Sequence, residues 1–305
     1  MTFGDMEIQS VRDVRTRHKK LPYVLLAFMT VGVWGITFVS TKTLIVSGLT
    51  PVVIFIIRFA IAYLCILMFS HKILFAKTVK DEMSLLFAGL TGGSIYFIAE
   101  NSALGITFAS NVSLIICTSP IFTMILGSAI YHDKISVSAW IGSFISLAGV
   151  AVVILNGSLN FGINPLGDIL TVVAAISWAT YCLILKRLNK HYDNLFITRK
   201  VFGYGSLTAI AYLIASNAFG HIDFQWTFPV IGNLLFLGVV ASFLCYLMWN
   251  ASIKMLGPEM TANFIYLVPL VTIIASYIIL DEPISVWTIL GACAIIGGII
   301  LVTKQ

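Results

Sequence analysis

Residues 85–105, LLFAGLTGGSIYFIAENSALG, and residues 234–254, LLFLGVVASFLCYLMWNASIK, open two copies of one segment. The whole of Leu85–Ile154 aligns without a gap on Leu234–Thr303 at a shift of 149 positions. Under that shift Gly89 meets Gly238, Asn101 meets Asn250, Pro120 meets Pro269 and Ser136 meets Ser285. Gly142 and Gly149 likewise meet Gly291 and Gly298. Nearer the start of each half the shift is 144, and there Trp34 meets Trp178 and Lys42 meets Lys186. The chain is one unit written twice, so the number of helices in the unit decides the architecture.

Composition makes it a membrane unit. Of 305 residues, 59% are hydrophobic and 10% charged, and the mean hydropathy is +1.00. A soluble domain of this length carries far more charge on its surface. The charges sit in short gaps between apolar runs, which leaves no room for a soluble catalytic domain. A helix needs roughly 20 apolar residues to cross a hydrocarbon core of about 30 Å. Runs of that kind lie at 22–46, 51–70, 84–105, 109–131 and 136–156. Others follow at 165–186, 197–217, 229–253, 258–280 and 285–303. The stretch from Met83 to Tyr131 is too long for one span and divides at Leu104-Gly105-Ile106. Its counterpart divides at Lys254 and Gly257-Pro258, a clearer stop. Residues 1–20 are polar and basic, and no small-residue cleavage site follows the first run, so they read as an uncleaved tail.

Basic residues test this map independently, because cytoplasmic loops carry the excess of Lys and Arg. With the N-terminus in the cytoplasm, sixteen of the eighteen fall in the tails and inner loops, among them Lys77, Lys134, Lys190 and Lys254. The other two, Lys42 and Arg58, lie within spans, and the outer loops hold none. That distribution also turns the net charge of +5 away from nucleic acid and toward a lipid bilayer. The expected fold is an all-α integral membrane protein of ten transmembrane helices, in two inverted five-helix repeats. A cytoplasmic tail takes 1–21, the first repeat 22–156, an outer linker 157–164 and the second repeat 165–305. Five is odd, so the second repeat enters the membrane from the opposite side. Inverted repeats recur among secondary transporters because exchanging the conformations of the halves gives inward-open and outward-open states. A duplicated structural or receptor bundle is the plainer alternative.

Particular residues carry a resemblance. The first span holds Trp34-Gly35-Ile36-Thr37-Phe38-Val39-Ser40-Thr41-Lys42, and the second Arg58-Phe59. Ser119-Pro120 is followed by His132-Asp133-Lys134-Ile135-Ser136, Gly142 and Gly149. The second half repeats the order with Val268-Pro269, Asp281-Glu282-Pro283-Ile284-Ser285, Gly291 and Gly298. In order, spacing and duplication, from about Leu21 to Thr303, the chain resembles the EamA type of the drug/metabolite transporter superfamily. The resemblance implies an inner-membrane carrier, often an exporter of amino acids or related metabolites. It also implies a central cavity lined by the third, fourth, eighth and ninth helices and flanked by the first and sixth. Two departures stand out: Asp133 where Glu is usual, and Glu100-Asn101 in a stretch that is commonly aromatic and apolar.

Soluble-type chemistry has no motif here. There is no GxxxxGK[ST] and no HExxH, so neither direct ATP drive nor a catalytic zinc is indicated. No catalytic residue, metal site or cofactor is expected. The five cysteines, Cys65, Cys117, Cys182, Cys245 and Cys293, lie in apolar runs without a CxxC and read as small core residues. All five histidines sit in tails or at helix ends, which excludes a mid-membrane histidine relay.

Pro120 and Pro269 fall near mid-span, and each leaves the carbonyl four residues earlier without its helical partner. Lipid tolerates that only where protein or a watery cavity satisfies the backbone, so paired breaks point to a binding site, with a packing kink as the alternative. On helical spacing Tyr96 shares a face with Glu100, Tyr246 with Asn250, Asn111 with Thr118 and Asn263 with Tyr266. Amides and aromatic hydroxyls in a membrane seek the protein interior. The candidate substrate site is therefore Trp34, Tyr96, Glu100, Asn101, Asn111, Trp178, Tyr246, Asn250, Asn263 and Tyr266, with Pro120 and Pro269 as helix breakers. Glu100 is the one carboxylate well inside a span, and by depth it, Arg58 and Lys42 are able to meet as a structural lock. The sharper reading has Glu100 binding a substrate amino group or a coupling proton.

The glycine pairs, each seven apart, put a small-residue face on the fifth and tenth helices, whose partner lies either in this chain or in a second copy. Ser136 and Ser285 read as N-caps of those helices. The expected activity is alternating-access transport of a small organic metabolite, with export favoured over import, by a monomer or homodimer. The rivals are a passive facilitator and a membrane sensor or assembly subunit.

Overall fold

The computed structural model describes residues 3–71, 75–107, 109–132, 134–155, 164–216, 225–271, 274 and 285–303, with 3–19, 109–111 and 303 described by backbone alone. All regular structure among them is helical. Helix α1 runs Phe3–Val46, with Lys20–Val46 as its apolar part. It is followed by α2 (Pro51–Leu67), α3 (Val79–Ile106), α4 (Val112–Tyr131) and α5 (Val137–Leu155). Then come α6 (Pro165–Leu188), α7 (Asn194–Ala215) and α8 (Phe228–Leu256). A short α9 (Pro258–Ala262) passes into a 3₁₀ turn at Asn263–Leu267, and α10 is Val286–Thr303. Six of these, α1, α3, α4, α5, α6 and α8, are long and apolar enough to cross a membrane. Large side chains on their outward faces are apolar, among them Phe28, Val39, Phe87, Ile125, Phe144 and Ile169, as a lipid environment requires. The chain is a multi-pass membrane protein.

Local chemistry sets the helix boundaries. Thr50 caps α2 by accepting from the Val53 amide, with Pro51 in the first turn where its missing N–H costs nothing. Asn164 and Pro165 do the same for α6, with Asn164 Oδ1 3.1 Å from the Gly167 amide. Ser136 accepts from Ala139 N at 3.1 Å and Ser285 from Thr288 N at 3.2 Å, so both act as the expected caps. The division after Leu104 falls at Thr107, which ends α3. At the corresponding point Gly257 has φ +89°, open only to glycine without strain, and Pro258 starts α9. The outer linker at 157–163, Asn217, Asp133, and Asp281 and Glu282 lie outside the described residues.

Contacts recur in pairs. Helix α3 packs on α6 as α8 packs on α1, and α3 packs on α7 as α8 packs on α2. The α5–α10 contact is the most extensive and runs antiparallel. A methyl group added at Gly149 would stand 2.7 Å from the Gly291 carbonyl oxygen, and one at Gly142 2.5 Å from that of Gly298. Each glycine face thus has the other as its partner, within this chain. Cys117, Cys182 and Cys245 are buried and Cys65 partly so, but Cys293 is exposed on α10. An apolar run constrains hydropathy, not which side of the helix faces lipid.

One end of the molecule is basic and tied by ion pairs. Arg187 reaches Asp81 at 2.8 Å, Lys186 reaches Glu259 at 3.3 Å, and Lys200 pairs with Glu82. Tyr192 donates its hydroxyl to Asp81 at 2.9 Å. At the opposite end Lys42 Nζ donates to the Leu104 carbonyl at 2.6 Å, and Ser40 to Asn233 at 2.6 Å.

Candidate functional site

Both expected breaks are present. The chain turns at Cys117–Thr118 immediately before Ser119-Pro120, and α9 tightens to 3₁₀ immediately before Val268-Pro269. The carbonyls the two prolines release are those of Ile116 and Ile265. Ser119 Oγ donates to the first at 2.7 Å, while the Val268 amide and the Cys117 thiol, at 3.7 Å, approach the second. Ile116 and Ile265 both line one cavity of about 40 Å³, with Trp34, Tyr96, Glu100 and Trp178. That volume holds roughly two or three waters.

The acid is inside it. Glu100 is 7% exposed, and Tyr96, one turn earlier on α3, donates its hydroxyl to Glu100 Oε1 at 2.7 Å. Arg58 lines the same cavity from α2 but turns its guanidinium to Ser242 Oγ at 2.9 Å and to the face of Phe97 at 4.3 Å. Among the described residues no ion pair joins Glu100 to Arg58 or Lys42. The three-way lock is not formed. Lys42 goes instead to the C-terminal carbonyls of α3, where orphan acceptors and the helix dipole both favour a cation.

Aromatic rings build the walls. Trp34 and Trp178, repeat partners, meet edge to face at 5.2 Å, and Tyr96 lies 5.0 Å from Trp178. Trp34 Nε1 donates to the Ala241 carbonyl at 3.0 Å, and Tyr246 donates its hydroxyl to the Gly92 carbonyl. The indole N–H of Trp178 is buried and has no partner among the described residues. Tyr246 and Trp249 stand behind Trp34, whose ring lies 5.0 Å from Trp249, so α8 supports the cavity without lining it. Three α1 residues, Trp34, Thr37 and Phe38, take the place implied for the eighth helix.

The other candidates sit elsewhere. Asn250 is fully buried, accepting from Tyr181 at 2.7 Å and donating to Thr198 at 2.9 Å, a closed network that ties α6, α7 and α8. Asn101 donates to the Pro51 carbonyl at 3.3 Å. Asn263 donates to the Glu259 carbonyl at 2.7 Å and accepts from Ser143 at 3.3 Å, and Tyr266 is buried beside it. The side chain of Asn111 lies outside the described residues. Arg58 is a charged lining residue that spacing did not select, although its charge within a span was a usable signal. Spacing also gave no sign of the π-turns at Leu90–Ser94 in α3 and Phe236–Leu244 in α8, which overlap under the 149-residue shift. Such turns often mark functional sites, and the first holds Gly92 against the Tyr181 ring and Tyr246.

Relatives share this frame. An uncharacterized transporter of Archaeoglobus fulgidus is 29% identical over 287 residues, covering 93% of this chain and 99% of its own. A probable amino-acid metabolite efflux pump of Salmonella typhimurium is 27% identical over 284 residues, covering 90% and 92%. A solved crystal structure at 17% identity superposes with a TM-score of 0.73 over 92% of this chain and 96% of its own, a likeness of fold. The EamA-like transporter family matches twice, at residues 21–155 and 165–304, and the chain belongs to that family.

Proposed function

We propose that the chain is a secondary carrier of ten spans in two inverted repeats, and that it exports a small amino-acid-like metabolite across the inner membrane by alternating access. One observation carries the reading. A buried carboxylate and Trp178, whose indole N–H has no partner among the described residues, line one cavity set between two proline breaks. An acid inside a membrane protein is costly and serves a function by default. Glu100 takes a substrate ammonium or a coupling proton, the rings of Trp34, Trp178 and Tyr96 offer cation–π faces, and the Trp178 N–H serves a ligand acceptor. The paired recurrence of helix contacts supports the inverted repeat, and the name of the Salmonella typhimurium relative favours amino-acid export. Counterflow of amino acids in proteoliposomes, with and without a pH gradient, tests the activity. Exchange that ignores the gradient points to a passive facilitator, and no exchange at all sinks the carrier reading.

Trp178→Phe isolates the indole N–H. Among the described residues no hydrogen bond is lost with it, so thermal stability is expected to stay near wild type. Substrate KM should rise about fivefold or more, as one neutral hydrogen bond of ~1 kcal/mol implies. An unchanged KM removes Trp178 from the site.

The reading also places both termini and the loops near Lys77, Lys190 and Lys254 in the cytoplasm. On a cysteine-free background, an impermeant maleimide added from outside should label cysteines at Asn160 or Asn217 and spare those at Lys77 or Lys190. The reverse pattern sinks the topology.

A further inference from the structure

The two π-turns are met by different donors. In α8 the Ala241 carbonyl accepts from Trp34 Nε1 at 3.0 Å. Gly92 holds the same place in α3 under the 149-residue shift, and Trp178 is the repeat partner of Trp34. Strict repetition would therefore give a bond from Trp178 to Gly92. The Gly92 carbonyl instead accepts from the Tyr246 hydroxyl, and the Trp178 N–H is buried without a partner among the described residues. Trp178 is placed to reach that carbonyl. Its chain neighbour Ser177 donates to the Thr91 carbonyl at 2.9 Å, and the Trp178 and Tyr246 rings meet edge to face at 5.8 Å. One turn on, the Tyr181 ring fills the space that a side chain at Gly92 would need. The other half has no such alternative donor: the position equivalent to Tyr246 is Phe97, which lacks the hydroxyl.

We propose that Tyr246 is a positioning residue: its hydroxyl holds the Gly92 carbonyl in this state, and Trp178 takes that carbonyl in the opposite-facing state. The inference rests on the carrier reading and deepens it. A carbonyl inside a helix gives one lone pair to the ladder and has one left, so the two donors compete. When the halves exchange conformations, Trp34 releases Ala241 and Trp178 binds Gly92. The free indole N–H thus passes from Trp178 to Trp34, and both rings line the central cavity. A ligand acceptor such as a carboxylate oxygen meets one indole donor in each state. The exchange is uneven, because Phe97 has no hydroxyl to replace Trp34 at Ala241. The state with Tyr246 on Gly92 keeps one more hydrogen bond, and the empty carrier rests there.

Removing the Tyr246 hydroxyl should hand the carbonyl to Trp178 at once. With the tryptophans labelled at the indole nitrogen, in ligand-free protein in detergent, the Trp178 N–H resonance is the one missing from Trp178→Phe. In Tyr246→Phe it should move downfield, as a new hydrogen bond requires. An unmoved resonance overturns the proposal. Unfolding temperature gives a second reading. Tyr246→Phe should lower it by about 1 °C or less while Trp178 is present, and by about 2 °C or more in the Trp178→Phe background, where the buried carbonyl loses both donors. Equal losses in the two backgrounds overturn the handover, and so does a Tyr246→Phe single variant that fails to fold. Leucine counterflow reads the consequence for binding. Tyr246→Phe should raise KM about fivefold, because ligand then competes with Gly92 for Trp178, and adding it to Trp178→Phe should raise KM no further. KM effects that multiply overturn the proposal. No exchange of leucine or any other amino acid, with the resonance shift and the unequal stability losses intact, sinks the carrier reading and leaves the shared carbonyl standing.

Discussion

Replacing Glu100 with Gln is expected to lower transport per folded molecule at least about tenfold, while folded yield stays near wild type. The bond that holds Glu100 comes from the Tyr96 hydroxyl at 2.7 Å, and an amide oxygen in the same place still accepts it, though more weakly than a carboxylate. No ion pair among the described residues depends on the carboxylate, so its charge is not what keeps α3 in position. Loss of a charge-assisted contact to a bound ammonium costs about 1.5–3 kcal/mol, a factor of about ten to a hundred. If Glu100 instead carries a coupling proton, transport falls and its pH dependence flattens. A low folded yield with normal transport per molecule would return Glu100 to a structural role. Yield by size-exclusion chromatography and counterflow on the same preparation give both readings.

The second large effect is expected at the α5–α10 seam. In Gly149→Leu or Gly291→Leu the first added carbon lies 2.7 Å or 2.6 Å from the carbonyl oxygen of the facing glycine. Backbone atoms cannot rotate aside, so the helices must part. Overpacking of this kind costs about 1–3 kcal/mol at each site, and separation also forfeits the dispersion contacts that hold membrane helices together without a hydrophobic drive. The double variant should lose most of its folded yield. Gly297→Ala is the control on the same helix, because nothing stands within 4 Å of its added carbon, and it should unfold at the wild-type temperature or above. Equal yields for Gly297→Ala and the seam variants would mean that the close contact does not carry stability.

Much of this arrangement was readable in advance, and the gaps have physical causes. Pro120 and Pro269 marked the breaks because a missing N–H is written in the residue itself. Ser136 and Ser285 marked helix starts for a similar reason. The glycine spacing gave a face but not its partner, since periodicity reports one helix at a time. The π-turns were hidden, because an extra residue in a turn has no residue type of its own. Asn250 shows the opposite error. Its place on the Tyr246 face was right, but a buried amide is as readily consumed by a network such as Tyr181–Asn250–Thr198 as by a ligand. Lys42 was read as a partner for an acid, when the carbonyls ending α3 were nearer.

The glycine seam has a consequence for how the protein is made. Gly142 faces Gly298 and Gly149 faces Gly291, so the same surface appears on both sides, as in an isologous dimer. Helix α5 leaves the ribosome well before α10, with synthesis proceeding at about 5–20 residues per second. Throughout that interval the groove on α5 has only lipid to fill it. Closure waits for α10. A chain released before α10 is made therefore keeps the α5 groove open to lipid, because a second copy inserted the same way presents its α5 parallel and not antiparallel.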